Sequence, residues 1–283
     1  MGVGRSRTLR PRTPGNRESP LPYRSGVVID LHTHVLPGID DGPETIEESL
    51  ALARAAAERG TRVMVATPHV NWHHHNDSAT IARLTGELNE LLRSEGIGLE
   101  IRAGAEIAMT RVEQLDPGEL ERLRLGDGPW VLLEPPFTPI VTGLDGVVMA
   151  LQSAGHRVLL AHPERCPALH REPQLLESLV KAGVLTSITA GSLVGRFGGE
   201  VRRFSRRLME RKLVHNVASD THDVVKRPPG MAEALAEAGY AVLTEWLTEA
   251  VPAAILAGEE IPMRPDAPLA RERRPHRIRW RRR

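Results

Sequence analysis

From Val27 onward, short runs rich in β-branched and apolar residues alternate with longer stretches whose apolar positions recur every three or four residues. That rhythm predicts repeated strand and helix units around a parallel sheet. Seven strands are expected, over Val27 to Leu31, Arg62 to Thr67, Leu99 to Glu106, Trp130 to Glu134, Arg157 to His162, Val184 to Thr189 and His215 to Ser219. The first helix opens on a capping box, with Thr45 three residues ahead of Glu48. It carries Ile46, Leu50 and Ala53 on one stripe and stops at Gly60. A second helix opens near Ser78, sets Ile81, Leu84, Leu88 and Leu91 on one face, and ends at Gly96. Later helices follow Glu172, Gly199 and Pro229. No internal repeat underlies this rhythm.

The polar residues that interrupt the pattern fall where the strands end. Strand one runs into His32-x-His34, strand two into Thr67-Pro68-His69, strand three into Glu106 and strand four into Glu134. The fifth runs into His162-Pro163-Glu164-Arg165 and the seventh into Asp220-x-His222. In a parallel barrel the carboxyl ends of the strands converge on one face, so these residues become neighbours there. A single H-x-H pair is weak evidence of a metal site; such groups at six equivalent positions carry the weight. Imidazoles and carboxylates without thiolates suit Mn²⁺, Fe²⁺ or Zn²⁺, and a bridging carboxylate lets two ions share a hydroxide that hydrolyses a phosphate ester. His73, His74, His75, His156, His170, His215 and His276 read as ordinary loop, strand or tail residues, with His73 to His75 the alternative lining of the cleft.

Composition narrows the class. At 283 residues with 41% apolar side chains, the chain has material for one barrel-sized domain plus tails. The net charge of +1 conceals segregation, since residues 1 to 25 carry six Arg against Glu18 and residues 271 to 283 carry eight Arg against Glu272. The remaining body is acidic, which is unlike a nucleic-acid-binding surface. We expect disordered Arg-rich tails over 1–25 and 263–283, flanking a domain over 26–262. No apolar stretch of about 18 residues suggests a membrane span. The lone Cys166 excludes an intrachain disulfide and fits a reducing cytoplasm. A cysteine-based phosphatase needs C-x5-R, whereas Glu172 stands six residues after Cys166.

The motifs Asp30-Leu-His-Thr-His34, Asp40-Asp-Gly-Pro43, Thr67-Pro-His69, Gly104-Ala-Glu106, Ala161-His-Pro-Glu-Arg165, Ala190-Gly-Ser192, Gly195-Arg-Phe-Gly198, Ser219-Asp-Thr-His222 and Arg227-Pro-Pro229 together carry a family likeness. Over Val27 to Gly258 the chain resembles the PHP (polymerase and histidinol phosphatase) superfamily, and within it the bacterial CpsB-type manganese-dependent protein-tyrosine phosphatases of capsular and exopolysaccharide systems. The resemblance implies an α/β fold, a distorted (β/α)7 TIM-like barrel, with three divalent metal ions, Mn²⁺ foremost. It implies that His32, His34, Glu106 and Asp220 surround one ion, that Glu106 bridges to a second held also by Glu134 and His162, and that Asp41, His69 and His222 hold the third. Asp40 is the alternative to Asp41, which is preferred by motif position. Arg165 and Arg227 are assigned to the substrate phosphate, which suits the guanidinium fork. The implied partner is a phosphotyrosine protein, such as a tyrosine kinase of the polysaccharide system, with a homo-oligomer the further expectation. The alternatives are a histidinol-phosphate or other small-molecule phosphatase, a nuclease, and a metal-binding regulator without turnover.

Overall fold

The computed structural model describes residues 27–266, so both Arg-rich tails, and His276 with them, lie outside the described residues apart from residues 263–266 at the start of the second. Within that span the apolar runs form β1 (Val28–Thr33), β2 (Thr61–Ala66), β3 (His69–Val70), β4 (Glu100–Ala103), β5 (Glu106–Ala108), β6 (Trp130–Glu134), β7 (Arg157–Ala161), β8 (Leu185–Thr189) and β9 (Asn216–Ala218). All the pairings between them are parallel, in a three-stranded sheet ordered β1-β2-β4 and a six-stranded sheet ordered β3-β5-β6-β7-β8-β9. A parallel bridge between Thr33 and Thr221 ties the end of β1 to the segment after β9. There the Asp220 N–H donates to His32 O at 3.0 Å and the His34 N–H to Thr221 O at 2.9 Å.

The structure departs from the expected strands at two places. The run Leu99 to Glu106 is not a single strand: it splits at Gly104-Ala105 into β4, which pairs with β2, and β5, which pairs with β3 and β6. A Cβ at Gly104 would stand 2.8 Å from a Val65 methyl and 3.2 Å from Leu125, so the chain turns where only glycine fits. The extra strand β3 follows Pro68, which offers no N–H of its own but accepts from Glu106 N at 3.1 Å.

Strands covered on both faces read as continuous apolar runs. Val131, Leu132 and Leu133 on β6 and Val158, Leu159 and Leu160 on β7 are wholly buried. Each such side chain contributes roughly 1.5–3 kcal/mol through burial. The helix Ile46–Glu58 starts as expected, Thr45 accepting the Glu48 N–H at 3.3 Å, but the Glu48 carboxylate reaches the N–H of Glu44 at 2.8 Å rather than that of Thr45. Asp77 caps Ser78–Ser94, whose buried face is Ile81, Thr85, Leu88 and Leu92, a stripe slightly rotated from the expected one. Helices also run over Pro173–Lys181, Gly199–Glu210 and Met231–Glu237. No described helix is long and apolar enough to cross a membrane.

Candidate metal centre

Because parallel strands bring their carboxyl ends together, the ligand-type residues at those ends meet. His32 and His34 approach each other at 3.2 Å between Nε2 atoms. Both face Glu106 Oε2, at 3.2 and 3.5 Å, and Asp220 Oδ1, each at 3.6 Å. His162 Nε2 lies 2.6 Å from Glu106 Oε1 and 3.9 Å from Glu134. Asp41 Oδ1 stands 3.4 Å from His69 and 3.2 Å from His222. All nine residues expected as ligands thus share one cluster, mostly buried, with His69 and Glu134 partly buried and Asp41, whose side chain is 54% exposed, marking the open side.

The grouping is more interleaved than three separate sets. Atoms within 4.8 Å of one another combine His34, Asp41, His69 and His222; His32, Glu106 and His162; His32, His34 and Asp220; and His69, Glu106 and Glu134. His34 therefore also stands with the Asp41 set, and His69 beside Glu106, with 2.9 Å between Nδ1 and Oε2.

The geometry distinguishes Asp40 from Asp41. Asp40 Oδ2 meets His34 Nδ1 at 2.7 Å and accepts the His69 N–H at 3.2 Å, while Oδ1 accepts the Gly42 N–H at 2.9 Å. Asp40 is thus spent on orienting His34, the usual task of a carboxylate behind a metal-binding imidazole. Asp41 keeps its oxygen toward the cluster. Gly42 makes the turn feasible, because a Cβ there would stand 2.5 Å from the His34 carbonyl oxygen.

Burial and neighbouring charges push the groups of the cluster in opposite directions. Burial opposes the ionised form of Glu106, but His32 and His162 outweigh it and hold its carboxyl well below the usual range. Burial, followed by the charge of Glu106, pushes Glu134 up to about 8. Burial also opposes charge on His69, yet Asp41 and Glu106 raise it to about 11. Burial lowers His162 to about 4. Glu106 Oε2, His69 Nδ1 and His222 Nε2 are buried and close to other ligand candidates, yet none makes a well-aligned hydrogen bond within the protein. Orphaned oxygens and imidazole nitrogens that face one another are the donor set that divalent ions satisfy, so the residues fit metal binding.

Two ligand candidates sit in strained backbone. His162 has φ 28° and Asp220 φ 52°, conformations that cost a non-glycine residue of order 1–3 kcal/mol and gather at functional sites. Arg165 and Arg227 converge on Asp220 Oδ2, at 2.7 and 2.5 Å, so this carboxylate faces the imidazoles with one oxygen and the arginines with the other.

Sequence reasoning passed over three buried carboxylate roles. Besides Asp40, Asp30 Oδ1 accepts N–H groups from Ser219 at 3.0 Å and His32 at 3.4 Å, joining β1 to β9, and burial lifts it to about 6. Glu164 Oε1 accepts from Thr189 N at 2.9 Å and from the Ser192 hydroxyl at 2.7 Å, and burial raises it to about 7. Their membership of the Asp30, DDGP and HPER motifs was the available signal. Among the loop histidines, His74 comes within 5.8 Å of the His69 ring, whereas His156 meets Arg124.

Metal-dependent hydrolases of parallel α/β architecture are the class that this fold and cluster define. The chain belongs to the capsular polysaccharide synthesis family CpsB/CapC, which it matches over residues 28–245. It is 38% identical to the tyrosine-protein phosphatase YwqE of Bacillus subtilis (strain 168) over 209 residues, 74% of this chain and 82% of that protein. To the tyrosine-protein phosphatase CpsB of Streptococcus pneumoniae it is 32% identical over 219 residues, 73% of this chain and 88% of the other. A crystal structure from work on YwqE and CpsB, described as unique metal-dependent tyrosine phosphatases, superposes with a TM-score of 0.76 at 34% identity, over 86% of this chain and all of the other. A beta-aspartyl dipeptidase from Fervidobacterium islandicum AW-1 shares the fold alone, with a TM-score of 0.50 and 13% identity over 81% of this chain and 72% of the other.

Proposed function

We propose that the chain is a metal-dependent phosphatase that hydrolyses phosphotyrosine on proteins of a polysaccharide-producing system, a tyrosine kinase among them. The observation that carries this reading is Asp220, whose two oxygens link the imidazole cluster to Arg165 and Arg227. A phosphate ester placed at that junction meets ligand groups on one side and two guanidinium forks on the other. We assign three divalent ions, Mn²⁺ foremost, to His32, His34, Glu106 and Asp220; to Glu106, Glu134 and His162; and to Asp41, His69 and His222. When bound, such ions lower the pKa of water and polarise a phosphoryl group. The domain over 26–262 is read as a distorted seven-membered barrel, supported by the bridge between Thr33 and Thr221, which brings the first strand to the last. A cytoplasmic homo-oligomer is the corresponding reading of the assembled protein.

Arg165 and Arg227 bind the phosphoryl oxygens and stabilise the charge that grows there. Asp220 holds both cations in place before substrate arrives. Tyrosine's phenol, with a pKa of about 10, departs as phenolate with little protonation. The thiol of Cys166 takes no part: it is fully buried, donates to the Pro136 carbonyl at 3.3 Å, and has its pKa raised by burial. The test is turnover of a phosphotyrosine peptide, histidinol phosphate and single-stranded DNA side by side, with metal content measured on the same sample. Preference for the peptide is expected; preference for either competitor replaces this reading.

A further inference from the structure

Phenylalanine is scarce in this chain, with three residues in 283. One of them, Phe204, is buried against His170 at 4.2 Å. The other two both pack against the Arg165 guanidinium, whose central carbon lies 4.9 Å from the Phe137 ring and 4.5 Å from the Phe197 ring. Arg227 reaches the Phe197 ring as well, at 5.9 Å. Phe137 also stacks on His162, with centroids 5.3 Å apart and planes inclined by 21°. Despite these contacts Phe137 remains 46% exposed, forgoing burial that would otherwise stabilise the fold.

We propose that Phe137 and Phe197 form an aryl-binding subsite at the mouth of the cluster, which receives the ring of the ester while Arg165 and Arg227 take its phosphoryl oxygens. The inference deepens the phosphotyrosine reading and rests on it. In an aryl phosphate the ring begins one oxygen away from phosphorus. A phosphoryl group held by Arg165 therefore sets that ring beside whatever packs on the guanidinium, which is Phe137 and Phe197. An alkyl phosphate presents no ring to fill the same space.

The loop that carries Phe137 is held in place. Pro135 and Pro136 restrict its backbone, the Cys166 thiol anchors the Pro136 carbonyl, and Arg171 donates to Pro139 O at 3.3 Å. The other exposed aromatic near the cluster, Trp72, is engaged elsewhere. Its Nε1 donates to Thr110 at 3.1 Å and its ring lies 4.7 Å from the Arg111 guanidinium.

The experiment compares wild type, Phe137→Ala, Phe137→Tyr and Phe197→Ala. Turnover is measured on matched phosphotyrosine and phosphoserine peptides, binding of phenylphosphonate and methylphosphonate by calorimetry, and metal content throughout. Phe137→Ala is expected to lower kcat/KM for phosphotyrosine about tenfold, the scale of losing an aromatic pair. Phosphoserine turnover should stay within about twofold, phenylphosphonate affinity should fall in parallel with methylphosphonate affinity unchanged, and Phe137→Tyr should restore both. If both peptides lose equally, the rings merely position Arg165 and the subsite is overturned; no loss on either overturns it too. If wild type fails to turn over phosphotyrosine, the functional reading fails separately. The ratio of phenylphosphonate to methylphosphonate affinity in wild type and Phe137→Ala then decides the subsite alone.

Discussion

The two ends of the strands turn by different means. Where helices lead into strands, the chain reverses at Gly60, Gly96, Gly155 and Gly183, all with positive φ. Around Gly60, Gly96 and Gly155 a Cβ would meet nothing within 4 Å, so glycine is used there for its backbone freedom alone. At the opposite ends, where β7 and β9 deliver their ligand candidates, the positive φ falls on His162 and Asp220. Glycine would relax these turns, but it would remove an imidazole and a carboxylate from the cluster. Strain at the carboxyl ends is thus tied to chemistry, while the amino ends are shaped for stability.

The largest expected effect breaks the carboxyl end directly. Glu106 approaches His32, His34, His69 and His162 at once, so Glu106→Gln removes the charge that the whole cluster shares. Metal content should fall at more than one site, and kcat/KM by on the order of 10²–10³ or more. Thermal unfolding should still show a folded protein. An active variant with full metal content would break the assignment of Glu106 as the bridge.

Next in size is Arg165→Ala, which should lower kcat/KM by roughly 10² while metal content is kept if, as proposed, the guanidinium binds phosphoryl oxygens rather than supporting the metal ligands. Cys166→Ala, one residue away, should retain near-normal turnover. A dead cysteine variant beside an active arginine variant would overturn the mechanism.

How much of this contrast was legible in the sequence differs between its parts. The glycine stops at Gly60 and Gly96, the Thr45 cap and the ligand-bearing strand ends could be read because each signal lies within a few neighbouring residues. The break at Gly104 could not, since the clash that demands glycine comes from Val65 and Leu125, far along the chain. For the same reason the interleaving of His34 and His69 between groups, and the approach of both Phe137 and Phe197 to Arg165, emerge only when loops from several strands meet. Asp40 and Asp41 are neighbours in sequence; motif position prefers Asp41 as the ligand candidate, but the reason, that Asp40 is occupied by the His34 ring and the Gly42 and His69 N–H groups, appears only in the fold.

A smaller effect sharpens the amino end. His215, just before β9, accepts the Thr186 N–H on Nδ1 at 3.2 Å, which requires that nitrogen to be unprotonated. Burial, then the charge of Arg264, lowers its pKa to about 4. The unfolded chain binds a proton near pH 6.5 and the folded one only near 4, so stability falls as pH drops through that interval and levels off below it. The loss amounts to at most about 3–4 kcal/mol. His215→Asn keeps an acceptor for Thr186 without the titration, and Tm should then vary less between pH 6.5 and 4. An unchanged slope would assign the acid sensitivity to other groups.

The smallest effect tests the contrast at its exception. Lys212 is the one described non-glycine residue with positive φ outside the cluster, at 58°. It follows the helix Gly199–Glu210, where its N–H bonds Met209 O at 3.1 Å and the next N–H, of Leu213, returns to Leu208 O at 2.9 Å. That is the helix ending at which the other amino-end turns use glycine. Its side chain is 65% exposed and pairs with Asp266, itself 92% exposed, at 3.1 Å, an interaction worth little in water. Lys212→Gly relieves about 1–2 kcal/mol of left-handed strain and returns roughly 0.5–1 kcal/mol as backbone entropy in the unfolded chain. The net gain should raise Tm by about 1–3 °C, with kcat/KM and metal content unchanged. A lower Tm would show that Lys212 contributes more through its side chain than its backbone costs, and the amino end would then share the trade between strain and side-chain function seen at His162 and Asp220.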